Sequence, residues 1–233
     1  MENLVEVELY NGLGLVDGRW DGYSPENAAV ALNGIRKGTL DSISSVSEIK
    51  SGKVEDFPTW ERKNWTFFYE TNINPQIEEA IKITRRGYKI NMPTLLTNLP
   101  YPDSWRASTR YQRVEGRHLI VIPFENTSKE MDLPTAHWGN EISVISVYDL
   151  AKEQPSEDII FNQGVVMGAH MTGHLLSLEL EDSHCEDSGC CMHPHSNGLK
   201  DINEIIKIRE RGNRKELFCE KTLNQFRKHL SSN

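Results

Sequence analysis

The sequence predicts an α/β protein in which helices flank a sheet, and three observations carry that prediction. A period-two apolar run stands near the start, two strongly apolar strand-like segments stand in the middle, and helical patterns separate the strand-like segments.

In chain order, Leu4 to Leu9 alternates as Leu-Val-Glu-Val-Glu-Leu, the pattern of a half-buried strand. Ser24-Pro25-Glu26-Asn27 then supplies an N-cap and a proline at the first helical position, ahead of Ala28, Ala29, Val30, Ala31, Leu32 and Ile35. Gly38 reads as the stop of that short helix, and Thr39 to Lys63, polar and serine-rich, reads as a long loop or linker. Trp65 to Tyr69 is strand-like by its aromatic content, and Asn74-Pro75 opens a helix carrying Ile77, Ala80, Ile81 and Ile83. His118 to Pro123 and Ile142 to Tyr148 are the strongest strands, the first a continuous apolar run and the second alternating. Pro155-Ser156-Glu157-Asp158 starts a helix carried to about Leu178, and two more helices are expected near Ile202 to Arg211 and Lys215 to Leu230. Along the chain this gives 1–62 as an N-terminal extension or the first part of the domain, 63–199 as the core, and 200–233 as C-terminal helices.

At 233 residues the chain is long enough for a sizeable core. Its 16 Gly and 10 Pro are too few for a collagen-like or low-complexity protein. The net charge of −8 argues against nucleic acid as a partner, since phosphate-backbone binding relies on a cationic surface. From Lys200 onward nine Lys and Arg stand against five Asp and Glu, a local excess read as a solvated helical face or a surface for an acidic partner. No apolar stretch approaches the ~18 residues of a membrane span. The acidic start lacks the basic and apolar regions of a signal peptide, so a cytoplasmic protein is expected.

Cysteines are absent from the first 184 residues and then occur at 185, 190, 191 and 219, beside histidines. That placement suggests metal chemistry rather than a disulfide framework. His170 and His174 are four apart, so on a helix their imidazoles share a face and can take two corners of one tetrahedral zinc. Gly164, Gly168 and Gly173 each cost about 1 kcal/mol against Ala inside a helix, so three in one helix call for close backbone packing.

The run His184-Cys185, four residues, Cys190, one residue, Met192 resembles the second half of the archaemetzincin signature, and His170-x-x-Gly173-His174-Leu175-Leu176 resembles the zinc helix of metzincin peptidases. Met192-x-Pro194 is similar to the Met-turn below the metal in that clan. The resemblance covers about 25 residues, as counted on the helix and loop motifs. It implies a metzincin-like fold, with a twisted mixed sheet, flanking helices and a smaller C-terminal part with the Met-turn. It also implies zinc held by His170, His174 and a third ligand, His184 or its rival Cys185, and a peptide or protein as substrate or ligand.

Two departures qualify what the resemblance implies. The family places a glutamate directly after the first histidine to move protons; here that residue is Met171, whose thioether cannot. The third histidine comes ten residues after His174, with Ser177 and Leu180 where the family has glycine and histidine, and a longer loop absorbs the difference at small cost. The resemblance further implies a second, structural zinc on four cysteines. Only Cys219 lies downstream, leaving Cys185, Cys190 and Cys219 with His193 or His195 as an alternative set, or simply packed or reactive thiols. Glu179 and Glu181 are the nearest acids for a displaced base but read as solvated loop residues, and His137 reads as a turn residue near the cleft. The expected function is a zinc-binding, archaemetzincin-like domain with weak or no peptidase activity that binds peptide or protein segments. The alternatives are an active metallopeptidase with a displaced base and a metal-free interaction protein.

Overall fold

The computed structural model describes residues 4–53, 65–99, 114–128, 135–138, 141–152, 156–176, 184–194 and 198–232. Its strands are β1 (Leu4–Asn11), β2 (Glu48–Ser51), β3 (Trp65–Asn72), β4 (Lys89–Ile90), β5 (Val114–Ile122), β6 (Glu125–Asn126), β7 (Thr135–Trp138) and β8 (Ile142–Ser146). The helices are α1 (Pro25–Ser44), α2 (Pro75–Thr84), α3 (Met92–Asn98), α4 (Tyr148–Lys152), α5 (Glu157–Leu176), α6 (Leu199–Arg211) and α7 (Glu220–Ser232).

Six strands form one sheet in the order β2-β3-β1-β5-β8-β7, and β4 pairs with β6 apart from it. All pairings in the large sheet are parallel except the last, where β7 runs antiparallel to β8 with Ala136 opposite Val144. The α/β prediction is met: a mixed sheet carries helices on both faces. Period-two alternation divides the strand side chains between them. Val5, Val7, Leu9, Leu119, Val121 and Ile145 join the core shared with α1 and α5, whereas Tyr10, Ile120, Ile122, Ile142 and Val144 join that shared with α2 and α3.

Two helix starts follow the expected chemistry. Ser24 Oγ accepts the Asn27 N–H at 3.1 Å and Asn74 Oδ1 accepts the Ile77 N–H at 2.8 Å, each satisfying a donor that the first turn leaves free.

Several elements correct the sequence reading. α1 runs through Gly38 to Ser44, and β2 follows inside the stretch expected to be loop; the last part of that stretch, 54–63, lies outside the described residues. Gly38 is a contact rather than a stop: a Cβ there would strike the Val165 carbonyl oxygen of α5. The serine-rich end stays helical because its buried hydroxyls find partners. Ser42 Oγ donates to the Gly38 carbonyl at 2.6 Å, and Thr172 Oγ1 of α5 donates to Thr39 Oγ1 at 3.1 Å. β1 lies between β3 and β5, so residues 4–51 contribute to the sheet and its helix layer. Tyr148 starts α4 instead of ending a strand, the backbone of His137 lies on β7 rather than in a turn, and α7 begins at Glu220 instead of Lys215.

α1 and α5 approach as closely as backbones allow. Added Cβ atoms at Gly34 and Gly38 would meet the carbonyl oxygens of Phe161 and Val165; at Gly164 and Gly168 they would meet those of Ala31 and Ile35. The glycines that weaken α5 as an isolated helix therefore seat it against α1. Among the described residues no helix is long and apolar enough to cross a membrane.

Candidate metal centre

α5 carries the first two histidines. Glu157 and Asp158 in its first turn oppose the positive end of the helix dipole. From Val166 to Leu176 every residue of this helix is buried, which places the two imidazoles inside the protein. His170 is 4% exposed and His174 2%. Their Nε2 atoms stand 3.0 Å apart, one turn apart on the same face.

A short knot of chain, residues 184–194, brings the third histidine. The Cys185 N–H donates to the Met192 carbonyl at 2.9 Å, and the Cys191 N–H donates to the Leu217 carbonyl at 2.9 Å. His184, at the mouth of this knot, is exposed, and its ring centroid lies 5.4 Å from that of His170 and 5.1 Å from that of His174. The ligand nitrogens of His170, His174 and His184 all lie within 4.8 Å of one another.

The donor set fits a zinc ion. Zinc–nitrogen bonds of about 2.05 Å at tetrahedral angles separate ligand nitrogens by about 3.3 Å, close to the 3.0 Å found on α5. His170 Nδ1 lies 2.7 Å from the Cys191 carbonyl oxygen. A carbonyl only accepts, so that contact assigns the proton to Nδ1 and leaves the Nε2 lone pair facing the group, the arrangement of an imidazole oriented for a metal. Three imidazoles leave one tetrahedral position for another ligand, as in catalytic zinc sites.

Met192 is fully buried beneath α5, and its side chain fills the space beside Gly173. Met171 is 1% exposed and belongs to the apolar core, while its carbonyl accepts from Ser143 Oγ at 3.3 Å. The residue following the first histidine thus offers an apolar side chain where the resemblance called for a proton carrier.

The two rivals for the third position separate in space. His184 joins the histidines, and Cys185 joins Cys190 and Cys219, whose sulfurs also lie within 4.8 Å of one another. His193 is not in that group; its Nδ1 contacts the Cys185 carbonyl oxygen at 3.0 Å. Burial pushes the Cys190 thiol up, and pushes that of Cys191 to about 12. Burial also opposes ionisation of Cys219, but hydrogen bonds from Thr222, Cys185 and Cys190 outweigh it and bring that thiol below its ordinary value. Thr222, which the sequence reading passed over, stands 3.3 Å from Cys219 Sγ. Its signal was the spacing Cys219-x-x-Thr222, a Cys-x-x-Cys pair with a hydroxyl in second place. Ser177, Leu180, Glu179, Glu181 and His195 lie outside the described residues, as does the side chain of His137.

No protein-family model matches the chain, and no curated protein matches it in sequence. Solved structures do. The crystal structure of archaemetzincin from Methanopyrus kandleri aligns with a TM-score of 0.52 at 14% identity, over 99% of this chain and 96% of that one. The crystal structure of a zinc-dependent peptidase from Methanocorpusculum labreanum aligns with a TM-score of 0.53 at 14% identity, over 95% of this chain and 99% of that one. The likeness spans nearly the whole of both chains and is one of architecture rather than of sequence: this protein has the archaemetzincin fold.

Proposed function

We propose that His170, His174 and His184 bind one zinc ion, and that the site holds metal and a peptide or protein segment with little or no hydrolysis. The carrying observation is the pair of buried Nε2 atoms 3.0 Å apart, one of them oriented by the Cys191 carbonyl on its far nitrogen. Zinc in such a site supplies a Lewis acid that polarises a carbonyl oxygen and acidifies water. The chain's own part is to fix that geometry. The Cys191 carbonyl sets the tautomer of His170, and Met192 supports α5 at Gly173.

Moving a proton to a leaving amine needs a group that can carry one, and Met171 cannot. General acid–base help of ~10²–10⁴-fold is therefore missing. Binding of peptide or protein segments is supported by the fold shared with a zinc-dependent peptidase and by a metal that can take a carbonyl oxygen as ligand.

Elemental analysis of protein purified without added metal tests the metal reading. The expected result is one histidine-held zinc per chain that the His170→Ala, His174→Ala double variant lacks; equal zinc in both proteins sinks it. Met171→Glu, with Met171→Gln as its control, tests the reading of the missing base. Chelator-sensitive peptide hydrolysis should rise in the first and not in the second. Turnover by the wild type that matches Met171→Glu would instead favour an active peptidase with its base elsewhere.

The 3.0 Å contact also favours one metal-free reading. His174 Nε2–H would donate to His170 Nε2, and the pair would be a satisfied core contact in an interaction protein. That reading expects no zinc in either preparation and a melting temperature indifferent to chelators.

A further inference from the structure

The three cysteine sulfurs form a group with its own support. Cys185 Sγ and Cys219 Sγ are 3.4 Å apart. The Asp187 N–H points at Cys185 Sγ and the Cys219 N–H at Cys190 Sγ, each at 3.4 Å. These backbone donors fix the direction in which each sulfur presents its lone pairs. Cys219 directly precedes α7, and its carbonyl accepts the Leu223 N–H at 3.0 Å, so its side chain sits where the helix dipole favours negative charge. Zinc–sulfur bonds of about 2.3 Å at tetrahedral angles separate sulfurs by about 3.8 Å, within the range this group shows.

A fourth donor of the same kind is missing among the described residues. Thr222 Oγ1 takes its place, 3.3 Å from Cys219 Sγ and 3.6 Å from Cys190 Sγ, and is buried with the residue 3% exposed. A hydroxyl at those distances hydrogen-bonds to sulfur, and a neutral hydroxyl is a far weaker ligand for a thiophilic cation than a thiolate. The group is also reachable. A cavity of about 360 Å³, lined by Asp187, Gly189, Arg214, Phe218, Cys219 and Leu223 among others, opens at Cys219, the one half-buried cysteine of the four.

We infer that Cys185, Cys190 and Cys219 form an open three-thiolate site for a thiophilic divalent cation, with Thr222 at the corner that a fourth thiolate would close, so that the cation exchanges through the cavity beside Cys219. This departs from the closed four-cysteine site that the sequence resemblance implies. It also stands independently of the histidine centre, because sulfur and nitrogen ligands give different signals.

The probe is Cd²⁺ added to the whole reduced protein after chelation, read by thiolate-to-metal charge-transfer absorption in the ultraviolet. The band should saturate at one equivalent, and each of Cys185→Ser, Cys190→Ser and Cys219→Ser should abolish that saturation. Cys191→Ser should leave it unchanged, since Cys191 is not in the group. On the unmutated chain, Cd²⁺ should protect Cys219 from alkylation, a readout that needs no variant. Thr222→Cys should slow cadmium loss to a competing chelator. Failure of the band to saturate, its persistence in Cys219→Ser, or equal alkylation of Cys219 with and without metal would overturn the site. An unchanged release rate in Thr222→Cys would overturn the open corner.

Discussion

Met192 occupies the space that a side chain on Gly173 would need: a Cβ built there collides with the Met192 sulfur and comes within 3.2 Å of its terminal methyl. In a helix exposed to water, Gly173→Ala would gain about 1 kcal/mol from helix propensity. Here the new methyl displaces a fully buried methionine, and overpacking of this kind costs about 1–3 kcal/mol. We expect Gly173→Ala to lower stability in urea unfolding, and Met192→Ala to relieve part of that loss in the double variant. Strictly additive losses would show that the two residues do not press on one another.

The glycines between α1 and α5 should be less forgiving, because their obstacles are backbone rather than a flexible side chain. A Cβ at Gly168 would meet the Cα of Ile35 at 2.8 Å, and one at Gly164 the Cα of Gly34 at 3.1 Å. Neither helix can yield without parting from the other. Gly168→Ala is expected to cost more than Gly173→Ala, roughly 3 kcal/mol or above if the helices separate. Gly14→Ala, with open space around its Cβ, is the matched control and should change stability little.

The same contacts explain what the sequence reveals and conceals. β1 and β8 were legible from their alternation and β5 from its continuous apolar run, which buries residues on both faces of the sheet, and the starts of α1 and α2 because Ser24-Pro25 and Asn74-Pro75 act locally. The end of α1 was not legible, since Gly38 and the serines after it signal a turn until α5 is laid against them. Only then does Gly38 become a contact, and only then do Thr39 and Ser42 find partners for their hydroxyls. In the candidate site, His170 and His174 followed from helical spacing. The separation of His184 from Cys185 depends on how residues 184–194 fold back through the bond from Cys185 to Met192, which no spacing rule contains. Thr222 escaped notice because the spacing Cys219-x-x-Thr222 reads as a metal-site pair only once two sulfurs are seen beside the hydroxyl.

Met171→Glu should be a stability experiment as well as a catalytic one. The position is 1% exposed and its side chain lies in apolar core, so an ionised carboxylate there costs several kcal/mol or takes up a proton instead. A free glutamate titrates near 4.3, and burial raises that value in the folded state. The folded form then binds a proton that the unfolded form has released, so the variant loses stability as pH rises from about 4 toward neutrality. Melting scans at pH 5 and pH 8 should show a larger deficit against wild type at pH 8. An equal deficit at both would mean that the carboxylate escapes to water.

Metal removal gives the most direct thermal test of the histidine centre. A ligand that binds only the folded state at 100 times its dissociation constant adds about 2.7 kcal/mol. For a domain of this size that corresponds to roughly 5–11 °C in Tm. Zinc should raise the Tm of chelated wild type by such an amount, with a smaller rise in the His170→Ala, His174→Ala variant, where the thiol cluster alone remains to respond. In Cys219→Ser the histidine contribution should persist. A zinc-induced rise that is identical in wild type and the histidine variant would assign all of the stabilisation to sulfur and leave His170 and His174 as a core contact, with the Cys191 carbonyl serving only to satisfy a buried imidazole.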